Sequence, residues 1–424
     1  MSPTAPDGMK IAVFVNSFPV ISETFILNQI VGLLRRGHDV RIYARGGGER
    51  LISARHADVD HYRLFDCIQY QMPPPVPWLT RLSCAARRMI RWGWRDPGAV
   101  ANSLNVLRYR RSAVNLSLLF DLLPSENIQP ASYDVIHCHF GPNGQRAVAW
   151  RNLGALRGPI VTSFHGYDVN SLPRIYGPNM YRKLFSQGDM FTVGSEFLKG
   201  RIVALGAPDN RLAKLAMGVD LSRFRFLERM NPIDGVFRLI TVARLVEVKG
   251  IEYALLAVAS LKGKCPGIRY EIIGDGPLRN DLEVLTHHLG LANNVEFLGA
   301  LPQEEVINKL ASAHVFVLPS VVTASGEEET QSVALAEAQA SGLPVIATAI
   351  GGISESVRDG KSGFLVEPRN PEALASSILW LAHHPEAWGR MGRAGRAHVE
   401  AHFNLERLTD QLVEFYRLVR RPRN

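Results

Sequence analysis

Short apolar runs alternate with longer amphipathic segments along most of the chain. In the first half, residues 10–16, 39–44, 134–139, 160–164 and 190–194 have the nearly continuous Val, Ile and Phe character of strands buried on both faces. Between the first two, residues 23–36 place Phe25, Leu27, Ile30, Val31 and Leu34 at helical spacing, with Gly37 just past the end. Residues 46–130 break the rhythm; they are proline-rich around 73–77 and read as helical afterwards. The alternation restarts after Pro232. It predicts strands at 237–243, 269–274, 295–298, 315–319 and 344–347, and helices at 251–261, 277–289, 303–311 and around 332–340. A last helix spans 403–419. Arg417, Arg420, Arg421 and Arg423 stand at its end, where they suit the helix dipole.

This pattern predicts parallel sheets covered by helices. The interruption near 220–235 divides it in two. The expected fold class is α/β, with two Rossmann-like domains, residues 1–225 and 226–402, facing a cleft. Residues 403–424 form a C-terminal helix able to cross back to the first domain. Open parallel sheets bind ligands beyond the carboxyl ends of their strands, so the chemistry is sought there.

At 424 residues, with 46% hydrophobic and 21% charged positions, the chain needs neither disulfides nor a structural metal to fold. Disorder and small disulfide scaffolds are excluded. The four cysteines, Cys67, Cys84, Cys138 and Cys265, form no C-x-x-C pair, which argues against a zinc ribbon or redox motif. No window approaches the ~18 consecutive apolar residues of a membrane-spanning helix, and the polar residues 1–10 do not read as a signal peptide. A cytoplasmic protein is expected. The net charge of +8 is unevenly placed: Arg81, Arg87, Arg88, Arg91, Arg95, Arg108, Arg110 and Arg111 face the single acid Asp96, among Trp92, Trp94 and several apolar residues. Such a segment suits the anionic inner face of a membrane, although a solvated helical pair explains it nearly as well. No nucleic-acid motif accompanies it, so nucleic acid is not an expected partner.

Three stretches carry candidate chemistry. Arg244 and Lys249 follow a predicted strand, with Gly250 at the start of the next helix, a place suited to a diphosphate; two solvated surface charges are the plain alternative. Ser332 is placed to cap the helix that Gly342 and Pro344 end. Glu329 precedes that cap and Glu337 lies within the helix, with apolar neighbours that argue against a purely solubilising role. Gly274 opens a Gly-Asp-Gly turn after a strand, only half of a dinucleotide fingerprint. His137 and His139 share one face of a strand; without a third ligand, packed or hydrogen-bonded histidines are the commoner case. Asp168 stands where it either orients His165 or caps the following turn.

Taken together, these stretches resemble the family 4 retaining glycosyltransferases of GT-B fold. The resemblance rests on VARLVEVKG (242–250), IIGDGPLRNDL (272–282), VEFLG (295–299), the Glu329-x7-Glu337 segment running into SGLPVIAT (341–348), and GKSGFLV (360–366). In the first half, FPVISETFILNQI (18–30), IHCHFG (136–141), TSFHGYDV (162–169) and MGVD (217–220) resemble bacterial exopolysaccharide and colanic-acid-type transferases. The resemblance implies that residues 1–225 bind the acceptor, a glycan or polyprenyl-linked glycan. Residues 226–402 would bind a nucleotide-sugar donor, UDP- or GDP-linked. It further implies that Arg244 and Lys249 neutralise the departing diphosphate, Glu337 holds the ribose hydroxyls, Glu329 contacts the transferred sugar and His165 reaches the donor sugar near its reacting carbon. Gly274 and Ser332 belong to the donor-binding set, and Ser22, Glu23 and Thr24 lie near the phosphates or the acceptor. With two cations on the diphosphate, no metal and no further cofactor are expected. Two departures stand out: Thr330, Gln331 and Ser332 replace the usual Gly, apolar residue and Pro, so that Glu327 or Glu328 competes with Glu329, and the first loop is not glycine-rich. A GT-B nucleotide-sugar epimerase and a non-catalytic nucleotide- or glycan-binding protein are the alternatives.

Overall fold

The computed structural model describes residues 8–20, 23–46, 57–71, 74–93, 97–109, 111–122, 131–231 and 234–420. The first half contributes strands β1 (Lys10–Ser17), β2 (Asp39–Gly46), β3 (Ile68–Tyr70), β4 (Ala131–Ser132), β5 (Val135–His139), β6 (Leu156–Arg157), β7 (Ile160–Phe164), β8 (Met190–Val193) and β9 (Leu212–Lys214). The short β4 and β6 pair with each other, and the rest form a seven-stranded sheet in the order β3-β2-β1-β5-β7-β8-β9. The second half contributes β10 (Phe237–Val242), β11 (Ile268–Ile273), β12 (Val295–Gly299), β13 (Val315–Leu318), β14 (Val345–Thr348) and β15 (Gly363–Val366), ordered β12-β11-β10-β13-β14-β15. Every strand pairing in both sheets is parallel.

The all-apolar runs follow from this topology. β5, β7, β13 and β14 are buried at every position, because helices cover both faces. Each sheet reverses its strand order once, between β1 and β5 and between β10 and β13, and the loops after these strands open toward the other domain.

The helix Leu405–Arg420 leaves the second half and packs on the first. Its Leu412, Val413 and Tyr416 join the core formed by Ile11, Val13, Ile30 and Val135. Thr409 meets Gly32 of the helix Thr24–Arg35 so closely that a Cβ there would lie 2.9 Å from the threonine hydroxyl. Where the chain passes back between the halves, its two crossings pair: Val219 N–H donates to Phe403 O at 2.7 Å and Leu405 N–H to Val219 O at 3.1 Å. Among the described residues, no helix is long and apolar enough to cross a membrane.

Candidate active site

The second domain supplies the cationic side of the cleft. Arg244 is exposed on the loop after β10. The Gly274–Gly276 turn holds that loop: Gly274 lies so close to it that a Cβ would sit 1.8 Å from Ala243 O, and Leu245 N–H donates to Asp275 O at 2.9 Å. The half-fingerprint glycine thus shapes the arginine loop. Gly250, in the left-handed conformation, starts the helix Ile251–Leu261 against Pro319 O, where a Cβ would approach to 2.2 Å. This fixes Lys249 beside the loop that follows β13. There Lys249 Nζ pairs with Glu329 Oε1 at 2.6 Å, both side chains being largely buried.

The three consecutive acids are sorted by this geometry. Glu329 faces Lys249. Glu328 pairs with Arg201 of the first domain, and its carbonyl accepts from Asn170 Nδ2 at 3.4 Å. Glu327 N–H donates to Thr323 Oγ1 at 2.9 Å, closing the loop on itself. Ser332 Oγ accepts from Leu335 N–H at 3.3 Å and caps the helix Val333–Ala340. Glu337, inside that helix, is buried. Desolvation pushes its carboxyl up to about 7, against the opposing effects of Arg223 and of a hydrogen bond with Gln303. The two glutamates of the spaced pair therefore sit in different surroundings, one on a lysine, the other beside Gln303 and Arg223.

The first domain supplies the histidine side. His165, just past β7, is half-buried. Asp168 does not touch its ring. The Asp168 carboxylate instead accepts from the amides of His165 and Gly166 at 3.0 Å each and of Gly141 at 2.9 Å, so the turn-capping reading is the one realised. The ring partner is His139: its Nδ1 lies 3.0 Å from His165 Nε2. His137 is occupied on both sides, by Tyr416 Oη at 2.6 Å and Ser163 Oγ at 2.7 Å. Burial drives His137 and His165 down to about 3 and His139 well below its ordinary value, so all three rings are neutral. Glu23 faces Arg244 from the first loop; burial raises its carboxyl and the arginine opposes the rise. Ser22 lies outside the described residues.

The halves are clasped by residues that sequence reasoning noted only as departures. Thr330 Oγ1 donates to His165 O at 2.7 Å. The Gln331 carboxamide pairs with the Met217 backbone, accepting from its N–H at 2.9 Å and donating to its carbonyl at 2.8 Å. Glu355 adds a second clasp: it takes Lys214 at 2.7 Å and the amides of Glu196 and Phe197 at 3.0 and 2.9 Å. Across the two halves, Arg244 thus acts on Glu23, and the Lys249–Glu329 pair is held one residue from the Thr330–His165 contact.

Residues 95–223 match the family described as Glycosyltransferase Family 4, and residues 225–398 match the glycosyl transferases group 1. A putative colanic acid biosynthesis glycosyltransferase of Salmonella typhimurium, WcaL, is 35% identical across 97% of this chain and 100% of its own length. The chain belongs to the family 4 glycosyltransferases. The amylovoran biosynthesis glycosyltransferase AmsK of Erwinia amylovora is 33% identical over 96% of this chain and 98% of its own. Among solved structures, Anabaena HepE in complex with UDP and glucose superposes with a TM-score of 0.68 at 17% identity, covering 96% of this chain and 98% of that one. The same GT-B architecture of two facing Rossmann-like domains is present in this family 4 glycosyltransferase. It is a nucleotide-sugar-dependent transferase, and the epimerase alternative falls away.

Proposed function

We propose that this glycosyltransferase moves a sugar from a UDP- or GDP-linked donor to a glycan or polyprenyl-linked glycan, with retention at the anomeric carbon, in the making of a cell-surface exopolysaccharide. The relatives named for colanic acid and amylovoran biosynthesis support the pathway class. The observation that carries the mechanism is the Lys249–Glu329 pair at 2.6 Å, in the same cleft as Arg244. An ammonium has three donors and the pair uses one, leaving two for a phosphate while the carboxylate accepts from sugar hydroxyls. Arg244 and Lys249 then neutralise the charge that grows on the leaving diphosphate, as preorganised stabilisation. Glu337 is suited to accept from vicinal ribose hydroxyls. His165 contacts the donor sugar. The departing phosphate oxygen takes the acceptor proton, so the protein's main task is to position the reactants. With this cation pair on the diphosphate, the scheme requires neither a metal nor another cofactor.

The enzyme works on the inner face of the membrane as a peripheral protein. The helix Trp78–Trp92 leaves Leu79 and Ile90 each 81% exposed, with Leu82 between them on the same side, and Leu107, in the short helix Val106–Tyr109, is 96% exposed. Arg81 and Arg88 turn inward, onto Pro75 O at 2.7 Å and Phe120 O at 3.3 Å, so insertion of apolar side chains leads and exposed Arg87 assists. Arg95 and Arg110 lie outside the described residues.

The test is transfer by the purified protein from a panel of nucleotide sugars to polyprenyl-linked acceptors, with the anomeric configuration of the product read by NMR. Wild-type rates from both Arg244→Ala and Lys249→Ala overturn the charge-neutralisation scheme, and an inverted product overturns retention.

A further inference from the structure

His139 is buried at the end of β5, and its ring lies within 18° of parallel to that of His165. The 3.0 Å contact between His139 Nδ1 and His165 Nε2 holds a single proton. Both rings are neutral, so each carries one proton, and two arrangements exist. In the first, the shared proton belongs to His165 Nε2; His139 must then carry its own on Nε2. That nitrogen is buried and has no partner among the described residues, so an N–H there would be orphaned. In the second, the shared proton belongs to His139 Nδ1, and only a lone pair on His139 Nε2 goes unmatched. A buried orphan donor is the costlier defect, so the second arrangement wins. His137 does not alter this balance, since Tyr416 and Ser163 engage both of its nitrogens.

We propose that His139 is a positioning residue that fixes the tautomer of His165, placing the His165 proton on Nδ1. His165 then meets the donor sugar as a hydrogen-bond donor to one of its oxygens, and not as a base. Asp168 on the His165 amide and Thr330 on its carbonyl hold the backbone, Phe25 and Phe140 pack on the ring, and His139 sets which of its nitrogens carries the proton. The inference rests on the reading of His165 as a sugar contact, and its test separates the two.

The full-length protein labelled with nitrogen-15 in its histidine rings reports the tautomer directly through two-bond proton–nitrogen correlations, with His165→Ala assigning the signals. The proton on Nδ1 of His165 is the expected result; a proton on its Nε2 overturns the inference whatever the activity. In His139→Asn the side-chain amide still donates from the place of Nδ1, so the tautomer and most of kcat survive. In His139→Asp the carboxylate accepts from His165 Nε2, so at a pH where the nitrogen-15 shifts show the ring neutral its proton sits on Nε2, and kcat there drops about tenfold or more, the worth of one hydrogen bond, at a donor KM near that of wild type. Equal kcat values for the two variants overturn the proposal. If His165→Ala transfers sugar normally, the sugar-contact reading fails while the tautomer result stands.

Discussion

Thr330 Oγ1 donates to the carbonyl oxygen of His165 at 2.7 Å, from the loop of one domain to the active-site loop of the other. Gly166, with φ of +127°, leaves the room: a Cβ there would meet the Thr330 side chain at 2.9 Å. The bond thus ties the backbone of the histidine to the facing domain.

Thr330→Val keeps the shape and removes the donor. Its kcat is expected to fall about fivefold to tenfold, as for one lost hydrogen bond, and Thr330→Ser to recover most of it. Steady-state kinetics with a saturating donor check this, alongside melting temperatures that show the fold intact.

Lys249→Ala removes a cation from the diphosphate side and strands Glu329. Loss of one preorganised charge contact costs about 2.7–4 kcal/mol of barrier, or roughly 10²–10³ in kcat. Glu329→Gln keeps the size of the side chain and leaves Lys249 charged, so the smaller loss belongs there. The ratio of the two, measured as kcat/KM on one donor, decides whether the pair acts chiefly through the lysine.

The Glu337 carboxyl is pushed up to about 7 from its ordinary 4.5 by burial. The folded state therefore holds a proton that the unfolded state releases between those values. This contribution to stability is complete below about 4.5, declines as the pH rises toward about 7, and is gone above that; the decline is on the order of 1–3 kcal/mol. The histidines oppose it, because His137 and His165 are held neutral down to about 3 and destabilise the fold as the pH drops below the ordinary 6.5. Comparing the pH dependence of denaturant unfolding in wild type and Glu337→Gln isolates the glutamate. Nucleotide binding runs the other way: an ionised Glu337 is the better acceptor for ribose hydroxyls, so UDP or GDP affinity rises more steeply through about pH 7 in wild type than in the variant, where only the ligand phosphate titrates in that range.

Leu79→Asp together with Ile90→Asp places two charges on the exposed apolar side of the helix Trp78–Trp92. Flotation with anionic vesicles should drop from clear recovery to background, while transfer to a water-soluble acceptor analogue continues. Unchanged flotation removes this helix as the membrane contact.

Much of the fold was legible because parallel strands buried on both faces print unbroken apolar runs, as in 135–139 and 315–318. Helices with little sidedness did not announce themselves. Gly141–Asn152 is one, wrapped by the sheet and its neighbours; Glu386–His402 is sided but carries three glycines, which disfavour a helix in the sequence, and its Gly392 admits the carbonyl of Gly342 to where a Cβ would lie 2.3 Å from it. The cationic half of the site was readable because Arg244, Lys249 and Glu329 follow strands. The other half was not, since it depends on pairings across long stretches of chain: His139 with His165, Thr330 with His165, and His137 with Tyr416, whose partners are 26, 165 and 279 residues apart. The Thr330-Gln331 departure was visible in the sequence, but its meaning as a clasp needed the other domain.

The amino-terminal lobe is discontinuous, because residues 405–420 complete its wall. Tyr416 both fills that wall and bonds the buried His137. Ending the polypeptide at residue 404 would strip an interior surface and orphan an imidazole nitrogen, so neither lobe is obtainable by a single cut. Expressed alone, residues 1–225 should aggregate, and a separately supplied peptide of 404–420 should restore their solubility, making the tail a natural split-protein complementation fragment.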